Sequence, residues 1–166
     1  MNRGITDNIL DVCTALNGQE VQYLIVGGTA VAFHGYFRWS QNASGKPADK
    51  FDLDIWYKPT YTNYFKLLNA LEQLGQDVTR FREEQAPNPK RSFFRYDLDG
   101  FTLDFLPQLK GMSKFDQSFN RKEVVNIRGV DILVINFEDL IADKAANARP
   151  KDLRDIKELK TKRRNG

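Results

Sequence analysis

The feature that most limits what this chain can fold into is an abrupt junction. Val21-Gln22-Tyr23-Leu24-Ile25-Val26 is a β-branched and aromatic run that reads as a buried strand, and it ends at Gly27-Gly28. Thr29-Ala30-Val31-Ala32-Phe33-His34 follows without a linker and has the character of a short helix closed by Gly35. Other segments extend the alternation. Ile5, Ile9, Val12, Cys13 and Leu16 recur at helical spacing before Gly18, and Phe51 to Tyr57 alternates with the period of a strand. Thr60 is placed to cap a helix carrying Tyr64, Leu67, Leu68, Leu71 and Leu74 on one stripe before Gly75. Ser92 to Leu98 and Phe101 to Leu106 flank the turn pair Asp99-Gly100, and Val124 to Arg128 and Asp131 to Ile135 flank Gly129, so two hairpins are expected. Phe137 to Ala148 and Lys151 to Lys160 read as two helices separated by Pro150, the first capped by Asn136. Residues 37–50 carry no periodicity and read as a loop. The order predicts an α/β (α+β) domain with a small mixed sheet flanked by helices and a C-terminal helical pair.

With 166 residues and no linker rich in Pro, Gly or Ser, one domain spanning 1–166 is expected, with 137–162 as a helical extension. Charged residues make up 28% of the chain and hydrophobic ones 41%, which excludes a disordered chain. Cys13 is the single cysteine, so no internal disulfide can form and a reducing, cytoplasmic setting is expected. No apolar run is long enough for a signal peptide or a membrane helix, so a soluble protein without a membrane partner is expected.

Charge is uneven. Lys144 to Arg164 holds nine basic and three acidic residues, whereas the remainder holds sixteen and nineteen. A basic tail on a mildly acidic body suits a polyanionic partner, although a solvated helical face with a frayed end at 161–166 gives the same count.

The carboxylates carry the chemistry. On an extended strand Phe51, Leu53 and Ile55 face one way and Asp52 and Asp54 the other. Two like charges one pleat apart repel each other, and a divalent cation such as Mg²⁺ or Mn²⁺ removes the objection. In Phe101-Thr102-Leu103-Asp104-Phe105-Leu106 the same alternation places Asp104 opposite the apolar face. If the two strands are neighbours, Asp52, Asp54 and Asp104 converge, and three acids can hold two metals for in-line displacement at phosphorus. Outward, solvated positions on half-exposed strands would give the same pattern. The upstream Gly27-Gly28-Thr29 strengthens the metal reading, because two glycines opening a helix let backbone N–H groups approach phosphate oxygens.

Val26-Gly27-Gly28-Thr29, His34-Gly35 and Arg38, followed by Asp52-Leu53-Asp54 and the later Asp104, resemble the nucleotidyltransferase superfamily, most nearly its small abortive-infection and toxin–antitoxin members. Members of that branch often carry a C-terminal Lys-x₄-Arg followed by Asp, matched here by Lys144, Arg149 and Asp152 or Asp155. The resemblance spans about residues 21 to 160. It departs in the insertion of Gln41 to Phe51 before Asp52 and in Ala148, where the family usually has Ser or Thr.

The resemblance implies a nucleotidyltransferase fold and a metal-dependent transfer of a nucleoside monophosphate from a nucleoside triphosphate, ATP among them, to an acceptor hydroxyl, with release of pyrophosphate. Asp52, Asp54 and Asp104 would bind Mg²⁺ or Mn²⁺, and Asp104 would help activate the acceptor. Gly27, Gly28 and Thr29 would contact the β and γ phosphates, and Arg38, Lys144 and Arg149 would add positive charge. A snorkelling surface lysine is the alternative for Lys144, and a surface salt bridge the alternative for Arg38. His34 reads as a packed helix-end residue, and Trp56 either stacks on a base or packs beneath the 37–50 loop. The acceptor is open among tRNA or other RNA, a protein and a small molecule. The competing expectations are a non-catalytic, antitoxin-like subunit bound to a toxin–antitoxin partner, and a small RNA-binding module.

Overall fold

The computed structural model describes residues 4–35, 51–112 and 114–165. Its helices are α1 (Ile5–Gly18), α2 (Gly27–Phe33), α3 (Tyr61–Gln73), α4 (Thr79–Arg82), α5 (Phe115–Asn120), α6 (Phe137–Asn147) and α7 (Pro150–Asn165), with a 3₁₀ turn at Pro89–Arg91. Its strands are β1 (Tyr23–Val26), β2 (Phe51–Tyr57), β3 (Phe94–Leu98), β4 (Phe101–Leu106), β5 (Glu123–Ile127) and β6 (Val130–Val134). All six form one mixed sheet in the order β3-β4-β2-β1-β6-β5. β2 runs parallel to β4 and β1 parallel to β6, and the other neighbours are antiparallel. The expected mixed sheet flanked by helices, with a C-terminal helical pair, is therefore the observed architecture.

Local chemistry explains the boundaries. The Thr60 side chain accepts a hydrogen bond from the Asn63 backbone N–H at 3.3 Å, and Asn136 Oδ1 accepts from Asp139 N–H at 2.7 Å; both are helix N-caps. The β5–β6 turn has Arg128 and Gly129 both at positive φ (52° and 82°), the handedness that matches strand twist in a two-residue hairpin. The core lies between the sheet and its helices. α1 packs on β6 and α3, while α2 lies on β1 and β2 and touches α6. Tyr57, Tyr64, Phe81, Phe94 and Phe105 form an aromatic cluster around β3.

Three short elements depart from the expectation. α4 and the 3₁₀ turn are nucleated by side chains: Asp77 Oδ1 accepts from Thr79 N–H at 2.9 Å, and Asn88 Oδ1 accepts from Lys90 N–H at 3.2 Å. α5 is held by packing, its Phe115 and Phe119 rings stacking at 5.3 Å. α7 also continues as helix to Asn165, so the tail expected to fray at 161–165 is helical.

Candidate active site

The parallel pairing of β2 with β4 sets the register from which the site is built. Asp54 stands directly opposite Asp104, and Asp52 opposite Thr102. The Asp54 and Asp104 carboxyls share a hydrogen bond. Burial, then the charges of Asp104 and Asp52, push the Asp54 carboxyl up to about 7, and Lys144 works in the other direction. Asp104 is also raised, mainly by burial, against the opposing charge of Arg95. That arginine is the cross-strand neighbour of Asp104 on β3. Its Nε lies 3.6 Å from Asp104 Oδ1, but its side chain is 74% exposed. So exposed and long a pair holds weakly and can yield to a stronger cation.

β1 ends beside the same acids, because Val26 is the register partner of Asp54. The next residue, Gly27, has φ +65°, and a Cβ there would sit 2.5 Å from Asp54 Oδ2. Glycine is required twice over, once for the left-handed backbone and once for the approach of the carboxylate. α2 starts here with no side-chain cap on its first turn, and Gly28 is partly exposed. Thr29 is buried, and its hydroxyl donates to the Asp52 carbonyl at 3.2 Å, tying α2 to the acid-bearing strand.

α6 and α7 supply the positive side. Lys144 is 3% exposed, and its Nζ lies 3.3 Å from Asp152 Oδ1 and 3.1 Å from Asp155 Oδ2. Arg149 donates to both oxygens of Asp152, through Nε at 2.6 Å and Nη2 at 3.1 Å, and its backbone N–H adds a third bond. Burial alone would raise Asp152, yet Arg149 and Lys144 outweigh it and hold the carboxyl below its ordinary value. Lys144 is thus an internal cation, oriented by two fully buried carboxylates, and not a snorkelling surface lysine.

These walls enclose a cavity of about 250 Å³, lined among others by Gly27, Asp54, Asp143, Lys144 and Arg149. Of the expected site residues Gly27, Asp54, Lys144 and Arg149 line this cavity, Asp104 and Asp52 stand next to Asp54 on the sheet, and Gly28 follows Gly27. Thr29 stands beside them with its hydroxyl engaged on the strand, and Arg38 lies outside the described residues. Trp56 offers no face to a base: it is buried, meets Phe115 edge-on at 5.1 Å and donates its indole N–H to the Pro107 carbonyl at 3.3 Å. His34 is a packed helix-end residue, its Nε2 lying 2.8 Å from the Ile135 carbonyl.

The sequence reading missed Asp143, Gln108, Lys110 and Asn147, which also line the cavity. Asp143 is raised by burial, against the charge of Lys144, and Asn147 donates to its Oδ1 at 3.3 Å. Its position next to Lys144 on a capped helix was the one available signal.

Among the described residues no three Asp, Glu, His or Cys side chains stand ready-made as a metal cage. The donor set nonetheless fits a hard divalent cation, which takes one or two carboxylates and completes its shell with water and phosphate oxygens. Asp54 and Asp104 stand in register opposite each other, and the Asp52 charge acts on both.

None of the curated proteins matches this chain. Its fold is similar to that of the lincosamide antibiotic adenylyltransferase LnuA, solved with lincomycin bound, at 17% identity and a TM-score of 0.59, over 96% of this chain and 98% of that one. It is also similar to an antigenic nucleotidyltransferase-like protein from Paracoccidioides brasiliensis, at 14% identity and a TM-score of 0.50, over 92% and 73%. The model of a family described as nucleotidyl transferase of unknown function (DUF2204) matches residues 68–166, more than half of the chain. The chain belongs to that family and is an enzyme of the nucleotidyltransferase type.

Proposed function

We propose that the protein transfers a nucleoside monophosphate from a nucleoside triphosphate to an acceptor hydroxyl and releases pyrophosphate, in the presence of Mg²⁺ or Mn²⁺. The observation that carries this reading is the in-register Asp54–Asp104 pair, set against a backbone turn that only glycine fits. Half-buried carboxylates forced together cost stability, and they suit a site whose ligand brings positive charge.

Asp52, Asp54 and Asp104 would hold the cation. When bound, it neutralises phosphate charge and draws electron density from the reacting phosphorus. The backbone N–H groups of Gly27 and Gly28 face the β and γ phosphates, while Thr29 fixes the turn to β2. Lys144 and Arg149, pre-oriented by Asp152 and Asp155, whose charges offset much of theirs, present hydrogen-bond donors to the same cavity, so little reorganisation is needed when a polyphosphate enters. Arg38 adds a phosphate or acceptor contact. The acceptor oxygen attacks the α-phosphorus, the bond from that phosphorus to the β-bridging oxygen breaks, and pyrophosphate leaves. The hydroxyl proton passes to Asp104, which stands directly opposite Asp54 on the neighbouring strand. The lone cysteine, buried in the core, agrees with a cytoplasmic setting.

The acceptor is an RNA end, a protein hydroxyl or a small alcohol; the adenylyltransferase neighbour was solved with an antibiotic, lincomycin, bound. Incubating the chain with each α-labelled nucleoside triphosphate, Mg²⁺ or Mn²⁺ and a cell extract tests the reading. Label should enter one class of acceptor, with pyrophosphate released, and Asp54→Ala should abolish both. No label and no pyrophosphate with any of the four triphosphates would refute it.

A further inference from the structure

We propose that Lys110, on the loop after β4, is a further polyphosphate-binding residue, and that Trp56 and Gly111 are the positioning residues that present it. This rests on the reading of the cavity as a nucleoside triphosphate site.

The loop begins directly beyond the strand that carries Asp104, and it is pinned at three points. At its start the Pro107 carbonyl accepts the Trp56 indole N–H at 3.3 Å, inside the core. In its middle Leu109 is buried. Near its end Gly111 lies against α6 so tightly that a Cβ would stand 2.6 Å from the Ala142 carbonyl oxygen and 3.0 Å from the Asp143 Cα. Any side chain at 111 would force the loop and the helix apart. Between the buried leucine and the glycine sits Lys110, exposed and lining the same cavity as Gly27, Asp54, Lys144 and Arg149. A flexible loop would lose the entropy of ordering when a ligand arrived, but a loop fixed at both ends has already lost it.

The charge balance points to the ligand. Lys144 and Arg149 are both engaged with buried carboxylates, so that cluster is largely compensated before anything binds. Lys110 lines the cavity from a different element, the loop after β4. A ligand that spans the cavity from α6 and α7 to this loop, with negative charge along its length, is a linear polyphosphate chelated to a divalent cation.

The probe is inorganic tripolyphosphate with Mg²⁺, which has no base, and binding is measured by titration calorimetry on the full chain. Lys110→Met should weaken binding about tenfold, Lys110→Arg should restore it to within about threefold, and Lys114→Met, an exposed lysine four residues on, should change it less than about twofold. Trp56→Phe, which removes the loop's first anchor, should cost about threefold in the wild-type background and nothing further in Lys110→Met. Wild-type binding indifferent to Lys110→Met would overturn the assignment and leave the triphosphate reading intact. An equal loss in Lys114→Met would overturn it as a diffuse charge effect. Equal Trp56→Phe losses in both backgrounds would overturn the positioning role. If the wild-type chain binds neither tripolyphosphate nor any nucleoside triphosphate, the reading of the cavity falls, and this assignment with it.

Discussion

Replacing Asp54 with asparagine should make the ligand-free protein more stable, and only at neutral to alkaline pH. Burial and the charges of Asp104 and Asp52 raise the Asp54 carboxyl from an ordinary 3.8 to about 7. The folded state therefore holds this proton more tightly than the unfolded chain does. As pH rises from about 4 to 7 the unfolded chain releases the proton first, so stability falls across that window and levels off above it. At 1.36 kcal/mol for each tenfold difference in proton affinity, the gap is worth about 4 kcal/mol. Because Asp54 and Asp104 titrate as a pair, a gain of about 2–4 kcal/mol is expected in the variant. Asparagine keeps the shape and can still donate to Asp104, but it cannot ionise. Urea unfolding followed by tryptophan fluorescence at pH 4 and pH 8 checks this directly. The Asp54→Asn variant should match the wild type at pH 4 to within about 0.5 kcal/mol and exceed it at pH 8. A gain of equal size at both pH values, or a less stable variant at pH 8, would refute the account of Asp54 as a buried acid under repulsion.

Three further outcomes follow from the same geometry. Gly27→Ala should cost about 2–4 kcal/mol in urea unfolding, from a left-handed backbone plus a methyl group 2.5 Å from Asp54 Oδ2, and should abolish tripolyphosphate binding. Asp155→Asn leaves the buried Lys144 short of one partner and should cost about 2–4 kcal/mol, while adding Lys144→Met should recover at least half of that in chemical denaturation. Ala148, at φ 52°, closes α6 in a conformation suited to glycine, so Ala148→Gly should raise stability by about 0.5–1 kcal/mol, read as a higher melting temperature.

The parts legible in the sequence were those with strong local determinants. The strand, glycine pair and helix at 21–34 could be read because strand chemistry and helix chemistry meet there without a linker. The alternation in Phe51–Tyr57 and Phe101–Leu106 fixed which side chains shared a face, although only the sheet order shows that β2 and β4 are parallel neighbours with Asp54 and Asp104 in register. Contacts made across the fold were hidden. Trp56 shares the outward parity of Asp52 and Asp54, so period-two reasoning left it open between stacking on a base and packing beneath the 37–50 loop, whereas it packs against α5, a six-residue helix too short to announce itself. Lys144 could be read as a triphosphate contact or as a snorkelling surface lysine, because its partners, Asp152 and Asp155, lie on the following helix and come to it only when α6 and α7 pack. Lys110 had no periodic context at all, and its place in the cavity depends on a backbone contact between Gly111 and α6 that no side-chain pattern encodes.

The central claim, that the acids of β2 and β4 form a seat for a divalent cation carrying a triphosphate, is tested most directly by titrating Mn²⁺ with a non-hydrolysable nucleoside triphosphate present and following the free-ion electron paramagnetic resonance signal. The wild-type protein and Asp116→Asn, an exposed control away from the cavity, should take up the ion stoichiometrically, and Asp54→Asn should take up at least about tenfold less at the same concentration. Equal uptake by Asp54→Asn and the wild type would contradict the claim.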